Sequence, residues 1–119
     1  FAQITDGLSN TILIGETLVN DHNWMMTYGV GNGGWASGYG GNSHGSTIIP
    51  INTNAACKKG DPWSWNYVST SWGFKSNHSG GANFAFADGS VRFLRQTIEM
   101  RNYQLLGCRN DDNVAVVEN

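Results

Sequence analysis

Large apolar residues alternate with small or polar ones most strictly from Asn83 to Phe93, on both sides of an Asp-Gly pair. Alternation with a period of two marks a half-buried strand. Asp-Gly between two such runs marks a hairpin, because a two-residue type I′ turn needs positive φ at both central positions. The pattern predicts a hairpin with Asp88-Gly89 at its tip, pairing Ala87 with Ser90, Phe86 with Val91, Ala85 with Arg92, Phe84 with Phe93 and Asn83 with Leu94. In that register Phe84, Phe86, Val91 and Phe93 form one apolar face, and the small Ala85 and Ala87 lie on the other, where a second element can approach closely.

Elsewhere the pattern is less regular. Residues 4–10 read as a turn and 11–17, rich in β-branched residues and apolar on both faces, as a central strand. From Asp21 to Ser46 glycines and aromatic rings dominate without helical periodicity, which predicts a long loop pinned by its rings. Residues 48–52 read as a short edge strand, since Pro50 cannot donate to a ladder, and residues 52–72 as a second insertion. Thr97 is placed to cap a helix over 98–106 that Gly107 ends, with Ile98, Leu105 and Leu106 facing inward. A last short strand is expected over 114–118. The fold class is therefore α+β, mainly β: an antiparallel sheet, long Gly- and aromatic-rich loops and one short C-terminal helix.

Composition narrows the possible partners. At 119 residues the chain has room for a single domain, 1–119, and Gly, Asn and Ser outnumber Leu, Ile, Val and Phe, so its packing is light. A net charge of −2 with only 13 % charged residues leaves no basic stripe for nucleic acid. No apolar run is long enough to span a membrane. The two cysteines, Cys57 and Cys108, are too few for a four-ligand zinc site and read better as one disulfide tying a long loop to the C-terminal end.

Several chemical signatures occur by letter only. Residues 29–34 fit G-x-G-x-x-G and 41–45 fit G-x-S-x-G, but neither is set between the strand and helix that dinucleotide binding or a nucleophile elbow requires. The three histidines, His22, His44 and His78, have no partner at ligand spacing. Asp6 with Asn10, and residues 110–113, are oxygen-rich enough to raise bound calcium as a lesser possibility, but Asx-turns explain them more simply. No other cofactor is expected. Trp24, Trp35, Tyr39, Trp63 and Trp65 read first as loop and core anchors; an alternative is that they form an exposed platform for glycans.

Two long stretches carry a resemblance. The run 4–16, containing Asp6, Gly7 and Glu16, and the run 77–94, with His78, Gly80, Gly81, Asp88 and Gly89, resemble in order and wording a pilin-like bacterial family with a prepilin-type His-x9-Asp-Gly domain, also described as domain of unknown function 1559. The resemblance covers nearly the whole chain. It implies an exported, extracellular or envelope-associated protein with a type IV pilin-like β-rich head, normally carried on an N-terminal hydrophobic helix. That helix is absent from this sequence, which reads as the C-terminal part of such a head. It also implies a non-enzymatic subunit whose partners are other pilin-like subunits or further copies of itself. The motif has no established chemistry. His78 and Asp88 are either a metal or proton-transfer pair, or, as preferred here, the anchor of the Gly80-Gly81 turn and the shaper of the hairpin.

Overall fold

A computed structural model describes residues 2–18, 45–53, 73–113 and 115. Within them lie three strands and a helix: β1 (Ile12–Gly15), β2 (Gly81–Phe86), β3 (Val91–Arg95) and α1 (Met100–Leu106), with a short 3₁₀ turn at Leu8–Asn10 before β1. The strands form one antiparallel sheet in the order β1-β2-β3, as expected of an α+β, mainly β chain. The long loops, Trp24, Trp35, Tyr39, Trp63, Trp65 and Cys57, and all but Ala115 of the strand expected over 114–118, lie outside the described residues.

The hairpin forms where predicted, but one residue out of the predicted register. Ala85 pairs with Val91, Phe84 with Arg92, Asn83 with Phe93 and Ala82 with Leu94. The cause is the loop. Phe86 N donates to Ser90 O at 2.8 Å and Gly89 N to Phe86 O at 2.9 Å, so Ala87, Asp88 and Gly89 make a three-residue connection. Only Gly89 in it has positive φ, at 84°. This is a type I turn closed by a left-handed glycine bulge. Asp88 stabilises it, because its Oδ1 accepts from Ser90 N at 2.9 Å and Ser90 Oγ at 2.6 Å, a local Asx bond that competes with the left-handed conformation a type I′ turn demands.

A shift of one residue turns every side chain of a strand to the other face. Phe84 and Phe86 remain in the core, but β3 now contributes Leu94 to it, while Val91 and Phe93 stand 69 % and 46 % exposed on the opposite face. The predicted single face of Phe84, Phe86, Val91 and Phe93 is thus split. The observed core contains Ile51, Ala82, Phe84, Phe86, Leu94, Tyr103, Leu106 and Ala115, flanked by Ile12, Phe74, Ile98, Met100 and Leu105.

β2, not residues 11–17, is the central strand. β1 carries a bulge between Ile12, opposite Phe86, and Ile14, opposite Ala85, and the extra residue leaves Leu13 and Ile14 exposed. Gly15 then returns to the inner side, where a Cβ would lie 2.4 Å from the Phe74 ring. Phe74 and Phe84 meet edge to face at 5.1 Å, and Phe84 meets Tyr103 in the same way at 6.0 Å.

The helix is shorter than its apolar pattern predicts. Gln96 and Thr97 are consumed by the turn that Ile98 N closes on Arg95 O at 3.0 Å, so Glu99, without a side-chain bond, takes the cap position instead of Thr97. Tyr103 and Leu106, three apart on one stripe, are its buried residues. Residues 48–52 are turns rather than an edge strand. Thr53 N and Oγ1 both donate to Pro50 O, at 3.3 and 2.8 Å, and Asn52 sits at φ 62°, outside any strand conformation.

Candidate functional site

The motif residues collect at three places around the sheet. At the first, Glu16 extends the β1–β2 pairing past the end of β1, its N donating to Asn83 O at 3.3 Å. Its Oε1 accepts from Asn83 N at 2.6 Å and Asn83 Nδ2 at 3.3 Å. Its Oε2 faces His78 Nε2 at 3.7 Å. His78 also meets the ring of Phe93 edge-on at 6.4 Å, and its backbone N donates to Ser76 Oγ at 3.0 Å. Both groups are partly open to solvent, so the contact orients the His78 ring and adds little stability, about 1 kcal/mol at most.

The second place is the hairpin tip. Asp88 is fastened to Ser90, and its Oδ2 lies 3.8 Å from Arg92 Nη2. The hydroxyl and N–H of Ser90, then the Arg92 guanidinium, hold the Asp88 carboxyl below the usual carboxylate range. Arg92 in turn covers the ring of Phe86 at 4.4 Å. His78 and Asp88 thus flank opposite ends of β2, whose six residues span about 20 Å. They do not meet. The His78 side chain faces Glu16 and Phe93, and the Asp88 side chain faces Ser90 and Arg92.

The third place joins the chain's two ends. Asp6 is buried, and its Oδ2 and Oδ1 accept from Asp111 N and Asp112 N, each at 3.0 Å. Thr5 N donates to Arg109 O at 2.8 Å beside them, and Asp112 takes the left-handed φ of 58° that brings its N–H round. Asn10 Nδ2 donates to Asp6 O at 3.3 Å. Asp6, raised above as an oxygen ligand, accepts backbone N–H groups through both carboxylate oxygens, and Asn10 bonds through its amide nitrogen. Among the described residues no cluster of three or more His, Cys, Asp or Glu is grouped to hold a metal. Two charge-assisted bonds from one carboxylate make Asp6 a clasp. Asp6→Ala is expected to lower stability by about 2 kcal/mol, because water reaches the abandoned N–H groups only in part. Asp6→Asn, which keeps one acceptor oxygen, should lose about half as much. Urea midpoints of the two variants measure both.

Cys108 corrects a further expectation. It lies exposed just beyond α1 as a free cysteine, so the disulfide with Cys57 is not formed. The Leu105 carbonyl holds its backbone N–H at 3.0 Å. Partial burial and then the Asp111 carboxylate raise its thiol pKa, which keeps the less nucleophilic protonated form.

Sequence reasoning missed Asn52 altogether. Its Nδ2 donates to Gly81 O and to Gln96 Oε1, both at 3.3 Å, and its Oδ1 accepts from Ser76 N at 2.8 Å. Ser76 Oγ donates to the same Gly81 carbonyl at 2.7 Å. Together they fix the start of β2. The one signal available was Asn in a Pro-x-Asn-Thr setting, where a left-handed turn residue is common.

The outer side of the sheet, where Glu16, Asn83 and His78 end, continues as an apolar surface through Ile14, Ala85, Val91 and Phe93, with Leu13 beside it at the bulge. Ile14 is 63 % exposed there. A family model described as "Protein of unknown function (DUF1559)" matches residues 1–101. No curated protein and no solved structure matches the chain.

Proposed function

The chain belongs to this DUF1559 family of proteins of unknown function, and from that premise we propose that it is a non-catalytic, pilin-like packing subunit of an extracellular or envelope assembly. The observation that carries this reading is the outer sheet face, where Leu13, Ile14, Val91 and Phe93 stand exposed together. Side chains of this size standing together on one sheet face mark a contact surface more often than a solvated one. The motif polar groups add support, since Glu16, Asp88 and Asp6 each hold backbone N–H groups in place. Neighbouring pilin-like subunits, or further copies of this chain, are the partners the reading assigns. The glycan alternative rests on Trp24, Trp35, Tyr39, Trp63 and Trp65, outside the described residues, and no observation favours it.

Sedimentation of the purified protein over a wide concentration range tests the proposal. Association that disappears in the double variant Leu13→Glu, Ile14→Lys, with its thermal midpoint kept within a few degrees, is the expected result. A protein that stays monomeric throughout, or a double variant that associates as before, would remove the outer face from consideration.

A further inference from the structure

We infer that the outer edge of β3 is an acceptor for an extended, acidic strand contributed by a different protein. The inference rests on the packing-subunit reading for the existence of a partner, and concerns a different contact from the sheet face that reading uses.

The hydrogen-bond ladder shows which groups are open. Phe86 N donates to Ser90 O and Gln96 N to Gly80 O, each at 2.8 Å, and antiparallel pairs alternate between bonded and non-bonded positions. Ser90, Arg92, Leu94 and Gln96 therefore turn their N–H and C=O groups towards β2. Val91, Phe93 and Arg95 turn theirs away. The carbonyl of Arg95 is taken by Ile98 N at 3.0 Å. The N–H and C=O of Val91 and Phe93, and the N–H of Arg95, have no partner among the described residues. A row of alternate, unpaired groups on an exposed strand specifies the backbone of a ligand in extended form.

Side chains then select among extended ligands. Val91 and Phe93 are exposed on the outer face of this edge, where the alternate residues of an added strand would stack against them. Arg95 is exposed and has no carboxylate within ion-pair distance among the described residues, whereas Arg92 is already matched by Asp88. Pairing with a second copy is disfavoured on the same grounds. An antiparallel copy centred on Phe93 sets each Arg95 opposite the other copy's Val91, so neither Arg95 finds a carboxylate across the new ladder. Arginine along an edge is also a common means of blocking self-pairing. An incoming strand with apolar residues towards Val91 and Phe93 and carboxylates towards Arg95 satisfies all of these groups.

The probe is a short capped peptide with valine, valine and glutamate at alternate positions and threonine between them, so that the three share one face opposite Val91, Phe93 and Arg95, with two controls: the same peptide N-methylated along its backbone, and one with lysine replacing glutamate. Amide hydrogen exchange in the folded protein gives the readout. The acidic peptide should slow exchange at Val91, Phe93 and Arg95 by about tenfold or more when near saturation, with Arg92 and Leu94 little changed, as strand addition requires. Both controls should protect much less. Val91→Pro removes one outward donor at an edge position that tolerates proline, and should abolish the protection; Val91→Glu, which leaves the backbone intact, should weaken binding through like charge and lost apolar contact. No protection with millimolar acidic peptide, equal protection by either control, or protection that grows with protein concentration alone would each overturn the inference, the last in favour of self-pairing. Failure here with concentration-dependent association still lost in the Leu13→Glu, Ile14→Lys variant leaves the packing-subunit reading standing. Loss of that association effect, with edge protection retained, would point the other way.

Discussion

Phe84→Ala should lower the free energy of unfolding by about 3–5 kcal/mol, whereas Phe93→Ala should lower it by less than about 1 kcal/mol. Both residues belong to the same alternating pattern, and the sequence-based register placed them on one face as direct partners. In the observed register Phe84 is 1 % exposed, enclosed by Phe74, Tyr103 and Gly15, while Phe93 lies on the outer face against His78. Truncating Phe84 leaves a cavity among rigid rings that cannot easily close. Truncating Phe93 only exposes a little more of Gly81 and His78. A chain of this size has a total stability of about 6–18 kcal/mol, so the first change is a large fraction of the whole and the second is not. Urea midpoints at constant m-value measure the difference. Equal losses at the two positions would mean that the strands pair in the other register.

The comparison also locates what the sequence can convey. Alternation revealed the hairpin's existence, its span and the burial of Phe84 and Phe86, since those follow from a period of two alone. It did not determine register, which depends on whether the connection holds two residues or three. That choice turned on Ser90, two residues after Asp88, whose hydroxyl and N–H both reach the carboxylate. The same limitation explains β1. Its apolar run suggested a central strand, but a single bulge at Leu13 sends two large residues outward, and a bulge leaves no mark on a hydrophobic pattern. In the candidate site, Glu16, His78 and Asp88 were identifiable as motif members, yet their partners were not. Asn83 holds Glu16, Ser76 the His78 backbone and Ser90 the Asp88 carboxylate, through contacts that are either too local or too distant for spacing to reveal. The disulfide was inferred from cysteine number and loop composition, neither of which reports distance; Cys108 is free and exposed beside Asp111.

Gly81→Ala should lower stability by about 3 kcal/mol, and Gly80→Ala by about 1–2 kcal/mol, for unrelated reasons. The two glycines are adjacent, and the sequence gives no means of telling them apart. Gly80 occupies φ 82° with nothing within 4 Å of an added Cβ, so its cost is conformational only. Gly81 has no positive φ, but a Cβ there would lie 2.1 Å from the Leu94 carbonyl oxygen and 2.8 Å from the Phe93 ring. The ring can swing away. The carbonyl cannot, because Leu94 is paired to Ala82 in the ladder and its side chain is in the core. Relief must therefore come from separating β2 and β3 where Asn52 and Ser76 also grip the Gly81 carbonyl. Asparagine distinguishes the two causes. At Gly80 it should restore part of the stability lost with alanine, since it tolerates left-handed backbone better than other residues. At Gly81 it should be at least as damaging as alanine, because its Cβ meets the same carbonyl. If asparagine were tolerated at Gly81, the close approach of β2 to β3 at that point would not be what retains the glycine.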